Sequence, residues 1–209
     1  MNHFRFVLTS FLFVAIFSLS ASAEIIPVTP YGPITIQEAI DSSSPGDIIE
    51  LADGVFTGDG NRDIDFHGKA ITVRSQSGDP TTCIIDCEGS DLENHRAFHF
   101  RHGEESDSII EGLTMRNGYH PLSGGIYGEL YCTPTIRDCR FINNHSNDGA
   151  GICIEDEATI ENCWFEGNVS SSHGGAASVV FTNSGSIPTF TGCTFVNNTA
   201  GHWGGAFRC

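Results

Sequence analysis

The chain has 209 residues, 24 of them Gly and 15 Phe, and only 17% of it is charged, against roughly 25% in an average soluble protein. With 39% hydrophobic residues it has the apolar surface for one packed domain, which excludes a disordered acidic tail. Ten Lys and Arg against 26 Asp and Glu give a net charge of −16 with no basic cluster, which excludes a nucleic-acid partner, because phosphate binding needs clustered cations.

Residues 1–23 combine a basic start (His3, Arg5), an apolar run from Phe6 to Leu19 and the small-x-small site Ala21-Ser22-Ala23. These are the features of a cleaved secretory signal. The run is shorter than the ~20 residues that span a bilayer, and no later segment is apolar enough to cross one as a helix. The mature segment is therefore expected to lack a transmembrane helix and to be secreted or held at the cell surface, associated with an outer membrane. Residues 24–34 read as a lead-in, and 35–209 as one domain.

Thr35-Ile-Gln-Glu38 is a capping-box sequence, and Ile36, Ala39 and Ile40 fall on one helical face. A short helix ending near Ser44-Pro45-Gly46 is expected, placed to cover the first coil of the domain. Asp47–Leu51, Ala70–Val73, Cys83–Asp86 and Ala97–Phe100 then read as short strands separated by Gly, Asp and Pro.

From Ile110 a repeat takes over. Ile110–Gly118, Ile136–Asn144, Ile160–Asn168 and Phe190–Asn198 share one register: apolar first, Leu or Cys three later, Met or Phe five later, Gly or Asn eight later. A small-Gly pair comes after each at a fixed distance: Gly124-Gly125, Ala150-Gly151, Gly174-Gly175 and Gly204-Gly205. Short alternating runs broken by Gly, Asn and Asp, repeating about every 25 residues, predict a parallel β-solenoid in which like side chains stack from coil to coil. The expected fold is all-β, a right-handed parallel β-helix of three sheets with a short N-terminal capping helix. Met115, Phe141, Phe165 and Phe195 should form one interior ladder, and Leu113, Cys139, Cys163 and Cys193 the next. Asn144, Asn168 and Asn198 should hydrogen-bond between coils. The chain stops within the segment after the last Gly pair, so further coils or an anchoring domain are expected in a longer protein.

Thr35–Ile40, Pro45–Leu51 and Gly54-Val-Phe56 resemble the opening of pectin-lyase-like right-handed β-helix proteins. Phe141–Asn144, Phe165–Asn168 and Phe195–Asn198, each in step with a small-Gly pair, resemble the repeat of chlamydial-type polymorphic outer membrane proteins. That resemblance implies a surface-exposed, often adhesive passenger region, usually followed by an outer-membrane barrel that this sequence lacks.

Chemistry has few candidates. Asp63 and Asp65 share a strand face with His67 nearby, but the flanking Gly60-Asn61 and Gly68 suit a solvated turn. Glu155, Asp156 and Glu157 are the candidate calcium ligands, as an oxygen-rich run just past a strand, although a solvated loop is the commoner meaning of such a run. His120, His145, His173 and His202 fall at unequal offsets within their repeats, which reads as scattered surface histidines. Arg74, Arg101, Arg116, Arg137 and Arg140 are possible lyase bases without a carboxylate set at a known spacing. No catalytic residue and no bound cofactor is expected, calcium excepted. The eight cysteines lack zinc-type spacing, and those of the ladder read as buried thiols. The expected role is adhesion to, or binding of, an extracellular protein or polysaccharide without catalysis; the alternative is a calcium-dependent polysaccharide lyase or another carbohydrate-active β-helix enzyme.

Overall fold

The computed structural model describes residues 22–180 and 187–209. The expected leader, apart from its last two residues, lies outside them. The helix spans Ile36–Ser42, and its capping box is complete: Glu38 N–H donates to Thr35 Oγ1 at 3.2 Å, and Thr35 N–H donates to Glu38 Oε2 at 2.8 Å. Ile36, Ala39 and Ile40 are fully buried against the first coil.

The chain winds as a right-handed parallel solenoid. Sheet 1 has seven strands, Ile25–Val28, Ile48–Leu51, Thr72–Ser75, Ile109–Glu111, Thr135–Arg137, Thr159–Glu161 and Thr189–Thr191. The lead-in thus supplies its first rung. Sheets 2 and 3 have six strands each, sheet 2 running from Gly54–Phe56 to Thr194–Val196 and sheet 3 from Ile64–Asp65 to Phe207–Arg208. A short fourth sheet, His145–Asp148, Val169–His173 and Thr199–Ala200, lies between sheets 2 and 3 in the last coils. It escapes sequence reading because its residues are mostly polar and carry no alternating apolar signal.

Register follows the repeat. Met115, Phe141, Phe165 and Phe195 pair in succession in sheet 2, and the rings of Phe141 and Phe165 stack with centroids 4.7 Å apart. Leu113, Cys139 and Cys163 are buried beside them. Residues with positive φ turn the chain between sheets 1 and 2: Gly112 at 68°, Asp138 at 55°, Asn162 at 53° and Gly192 at 65°. Gly, Asn and Asp recur there because they tolerate the left-handed region.

The asparagines form a buried ladder after sheet 2. Asn144 Nδ2 donates to Asn168 Oδ1 at 3.1 Å, and Asn168 Nδ2 donates to Asn198 Oδ1 at 2.9 Å. Each amide also reaches back to a carbonyl of the coil before, Met115 at 3.1 Å and Phe141 at 2.9 Å. Asn144-His-Ser146, Asn168-Val-Ser170 and Asn197-Asn-Thr199 match the glycosylation acceptor pattern, but Asn144 and Asn168 are buried in the folded protein, whereas Asn197 is exposed. At two of the Gly pairs successive coils come very close: a Cβ on Gly125 would lie 2.0 Å from the carbonyl oxygen of Gly151, and one on Gly175 2.1 Å from that of Gly205.

Candidate functional site on sheet 3

Sheet 3 sends Ile64, Phe66, Phe98 and Phe100 inward, so the residues between them point out. In register from coil to coil these are Asp65, His99, Tyr127, Cys153, Ser178 and Arg208. This outer row is unusually buried for a solvent face, with Tyr127, Cys153 and Ser178 all shielded.

A cleft of about 370 Å³ opens over the start of the row, lined by Asp63, Asp65, Arg96, His99, Arg101 and His120. Asp63 anchors its rim, accepting from Arg96 N–H at 2.9 Å and pairing with His95 Nδ1 at 2.6 Å. Arg101 Nε donates to Asp65 at 2.7 Å, and His99 Nε2 lies 2.8 Å from Glu129. Arg96 is 4% exposed and sits over the Tyr127 ring, 5.1 Å from its centroid, with its Nη1 lacking an acceptor among the described residues. Burial lowers its pKa to about 10.

Burial and the adjacent Arg96 cation together hold the His120 pKa down to about 4, so this imidazole is neutral at pH 7. Leu122 N–H donates to His120 Nδ1 at 3.1 Å, and Arg96 Nη2 lies against the same ring, 2.6 Å from Nε2. Tyr127 donates its phenolic proton to Glu155, and burial with that contact pushes its pKa up. Burial raises the Cys153 thiol to about 12, so it is not a nucleophile near neutral pH.

His120 also belongs to a second hollow of about 320 Å³, lined in part by Tyr119, Pro121, His145, Asn147, Val169 and Ser171. Tyr119 stacks on His145 with ring centroids 5.8 Å apart. The two hollows, one over sheet 3 and one over sheet 4, share His120 in their linings. Further along the same side, His173 lies against His202 and Trp203.

The sequence candidates fare unequally. Asp63 and Asp65 do share a cleft, but Asp65 is buried, not a solvated turn residue; backbone and Arg101 hydrogen bonds outweigh its desolvation and keep its pKa below the ordinary value. Glu155, Asp156 and Glu157 diverge: Glu155 meets Tyr127, Asp156 accepts from Tyr131 N–H at 3.0 Å and from Glu157 N–H at 2.8 Å, and Glu157 is exposed. Arg74, Arg116 and Arg137 pair across coils with Glu50, Asp86 and Glu111, each at 2.8 Å, and Arg140 lies 3.8 Å from Glu166. Of the five arginines singled out, only Arg101 lines the cleft, and Arg96 was missed.

His120, His145, His173 and His202 are not scattered but gather on one side. Their offsets within the repeat are unequal because they lie in or beside a regular row and are not themselves one ladder. Tyr119, His145, Val169 and Thr199 all stand nine residues after their sheet 1 anchors and pair in succession, and this row, with only His145 of the four histidines, is the regular feature beside which the other three lie.

Comparison with curated proteins and with solved structures gave no match. A family model described as "Right handed beta helix region" matches residues 49–206. The seven-rung solenoid and this match agree, and the chain belongs to the right-handed β-helix family.

Proposed function

We propose that the protein is exported and binds an extracellular polysaccharide at the cell surface, along the groove over sheets 3 and 4, without catalysis of its own. The observation that carries this reading is that two neighbouring hollows share His120 in their linings, so one chain-like ligand can lie across both. One side offers the ring faces of Tyr119 and Pro121, apolar surfaces for a sugar ring; the other offers Asp63, Arg96, His99 and Arg101, donors and acceptors for hydroxyls. A net charge of −16 disfavours a long polyanion, so the fitting ligand is a largely neutral chain. Outer-membrane association and an adhesive role draw their support from the Phe-x-x-Asn and small-Gly repeats, which resemble chlamydial-type polymorphic outer membrane proteins.

Binding is favoured over chemistry because the groups able to move a proton are engaged. His120 is held by Leu122 N–H and Arg96 Nη2, Asp65 is paired with Arg101, and Glu129 with His99. The calcium-dependent lyase reading has one specific support, the buried Arg96 guanidinium with its pKa near 10. Two measurements on the same polysaccharide panel separate these readings. Affinity electrophoresis should show retardation by a neutral polysaccharide, and ultraviolet absorbance should show no unsaturated product with or without calcium. Calcium-dependent product would overturn the binding-only reading, and absence of retardation by every polysaccharide would overturn the ligand class.

A further inference from the structure

Beside the groove, Asp65, His67 and His102 bring one ligand atom each within 4.8 Å of one another. Asp65 Oδ1 lies 3.5 Å from His67 Nδ1, and Asp65 Oδ2 lies 3.2 Å from His102 Nε2. We propose that these three residues form a binding site for a divalent transition-metal ion of the zinc class. This proposal is independent of the polysaccharide reading.

The donor set is two imidazole nitrogens and one carboxylate. Such a set suits zinc and its borderline neighbours and is a poor match for calcium, which takes six to eight oxygens. In a tetrahedral site with bonds of about 2.0–2.1 Å, ligand atoms stand roughly 3.4 Å apart. The two contacts to Asp65 have about that length but reach different oxygens, so each imidazole faces one oxygen and the carboxylate would hold the ion between them. Both histidines are about half exposed, at 47%, while the Asp65 side chain is 6% exposed. A fixed buried carboxylate thus faces two rings with room to close, and water completes the coordination.

The surrounding residues hold this arrangement. Glu104, 1% exposed, accepts from Gly68 N–H at 2.9 Å through Oε1 and from His102 N–H at 2.9 Å through Oε2. One buried carboxylate therefore ties together the two turns that carry the histidines. His67 has φ 55°, and its N–H donates to Asp65 Oδ1 at 2.7 Å, which fixes the ring-bearing turn against the carboxylate. Asp41 Oδ1 lies 3.4 Å from His67 Nε2. The Gln37 amide nitrogen is also 3.4 Å from that ring nitrogen; metal at Nδ1 would put the ring proton on Nε2, with Asp41 as its acceptor and the Gln37 amide turned aside, the role carboxylates play behind metal-bound histidines. Arg101 Nε occupies one lone pair of Asp65 Oδ2, and a carboxylate oxygen has a second.

Calorimetric titration of the untagged, metal-stripped protein with ZnCl₂ tests this. One ion per chain should bind, and His102→Ala and His67→Ala should each weaken binding at least about tenfold, as should Asp65→Asn. His102 is exposed enough for its alanine variant to fold, and circular dichroism of each variant separates lost binding from lost structure. Co²⁺ loaded into the wild type should give visible absorption bands that His102→Ala lacks, and excess Ca²⁺ should not displace it. Failure of the wild type to bind Zn²⁺, or unchanged affinity in a folded His102→Ala variant, would overturn the proposal.

Discussion

Phe141 and Phe165 lie one coil apart with their ring planes 7° from parallel, and Phe195 continues the stack at 5.0 Å. Phe165 is the middle ring and is fully buried. Phe165→Ala should cost about 3–5 kcal/mol, the range for removing a buried aromatic side chain. The neighbouring Glu166→Ala should cost far less, since that side chain faces outward. Denaturant midpoints measure both, and equal midpoints would reject the register.

The asparagine ladder predicts a second large effect. Asn168 accepts from both the backbone N–H and the side-chain amide of Asn144, at 3.0 and 3.1 Å, and donates to Phe141 O at 2.9 Å. Asn168→Ala strands several buried groups at once, each worth about 1–3 kcal/mol. A loss of roughly 2–4 kcal/mol is expected, read from urea unfolding. A change within the noise of a surface mutation would contradict the ladder.

These ladders were legible because sheets 1 and 2 and the turn between them keep the same residue count in every repeat. Phe141, Phe165 and Phe195 therefore stand at one offset, as do Asn144, Asn168 and Asn198. The groove was not legible for the opposite reason. Arg96 and His99 belong to an earlier, longer coil outside the repeat, and their meeting with His120 depends on how that coil folds back. The same holds for Asp65, His67 and His102, which come from two coils joined by Glu104.

Stability should depend on pH through His120. Its pKa of about 4 in the folded protein lies below the ordinary histidine value of about 6.5, so between these values the unfolded chain binds more protons. Stability should therefore fall as pH drops from about 6.5 towards 4. His99, its pKa lowered by burial and by Arg96, adds in the same direction. His120→Gln should flatten part of this slope. Melting temperatures at pH 7 and pH 5 for both proteins check it, and identical slopes would contradict the burial of His120.

Thiol reactivity should divide the cysteines. Burial raises Cys83 and Cys153 to about 12, and contact with Cys139 together with burial raises Cys163, while Cys209 is exposed. In the native protein Cys209 should react quickly with a thiol reagent. Cys139, Cys163 and Cys193 should become fully titratable after denaturation without reductant. Mass spectrometry finding these three joined in disulfides would contradict the free-thiol ladder.

Hydrogen–deuterium exchange with a retained polysaccharide bound tests the central claim most directly. Binding along the groove predicts slower exchange in segments 95–101, 119–122 and 145–147, with sheet 1 strands on the opposite side unchanged. Protection confined to sheet 1, or spread evenly over all sheets, would contradict a groove over sheets 3 and 4.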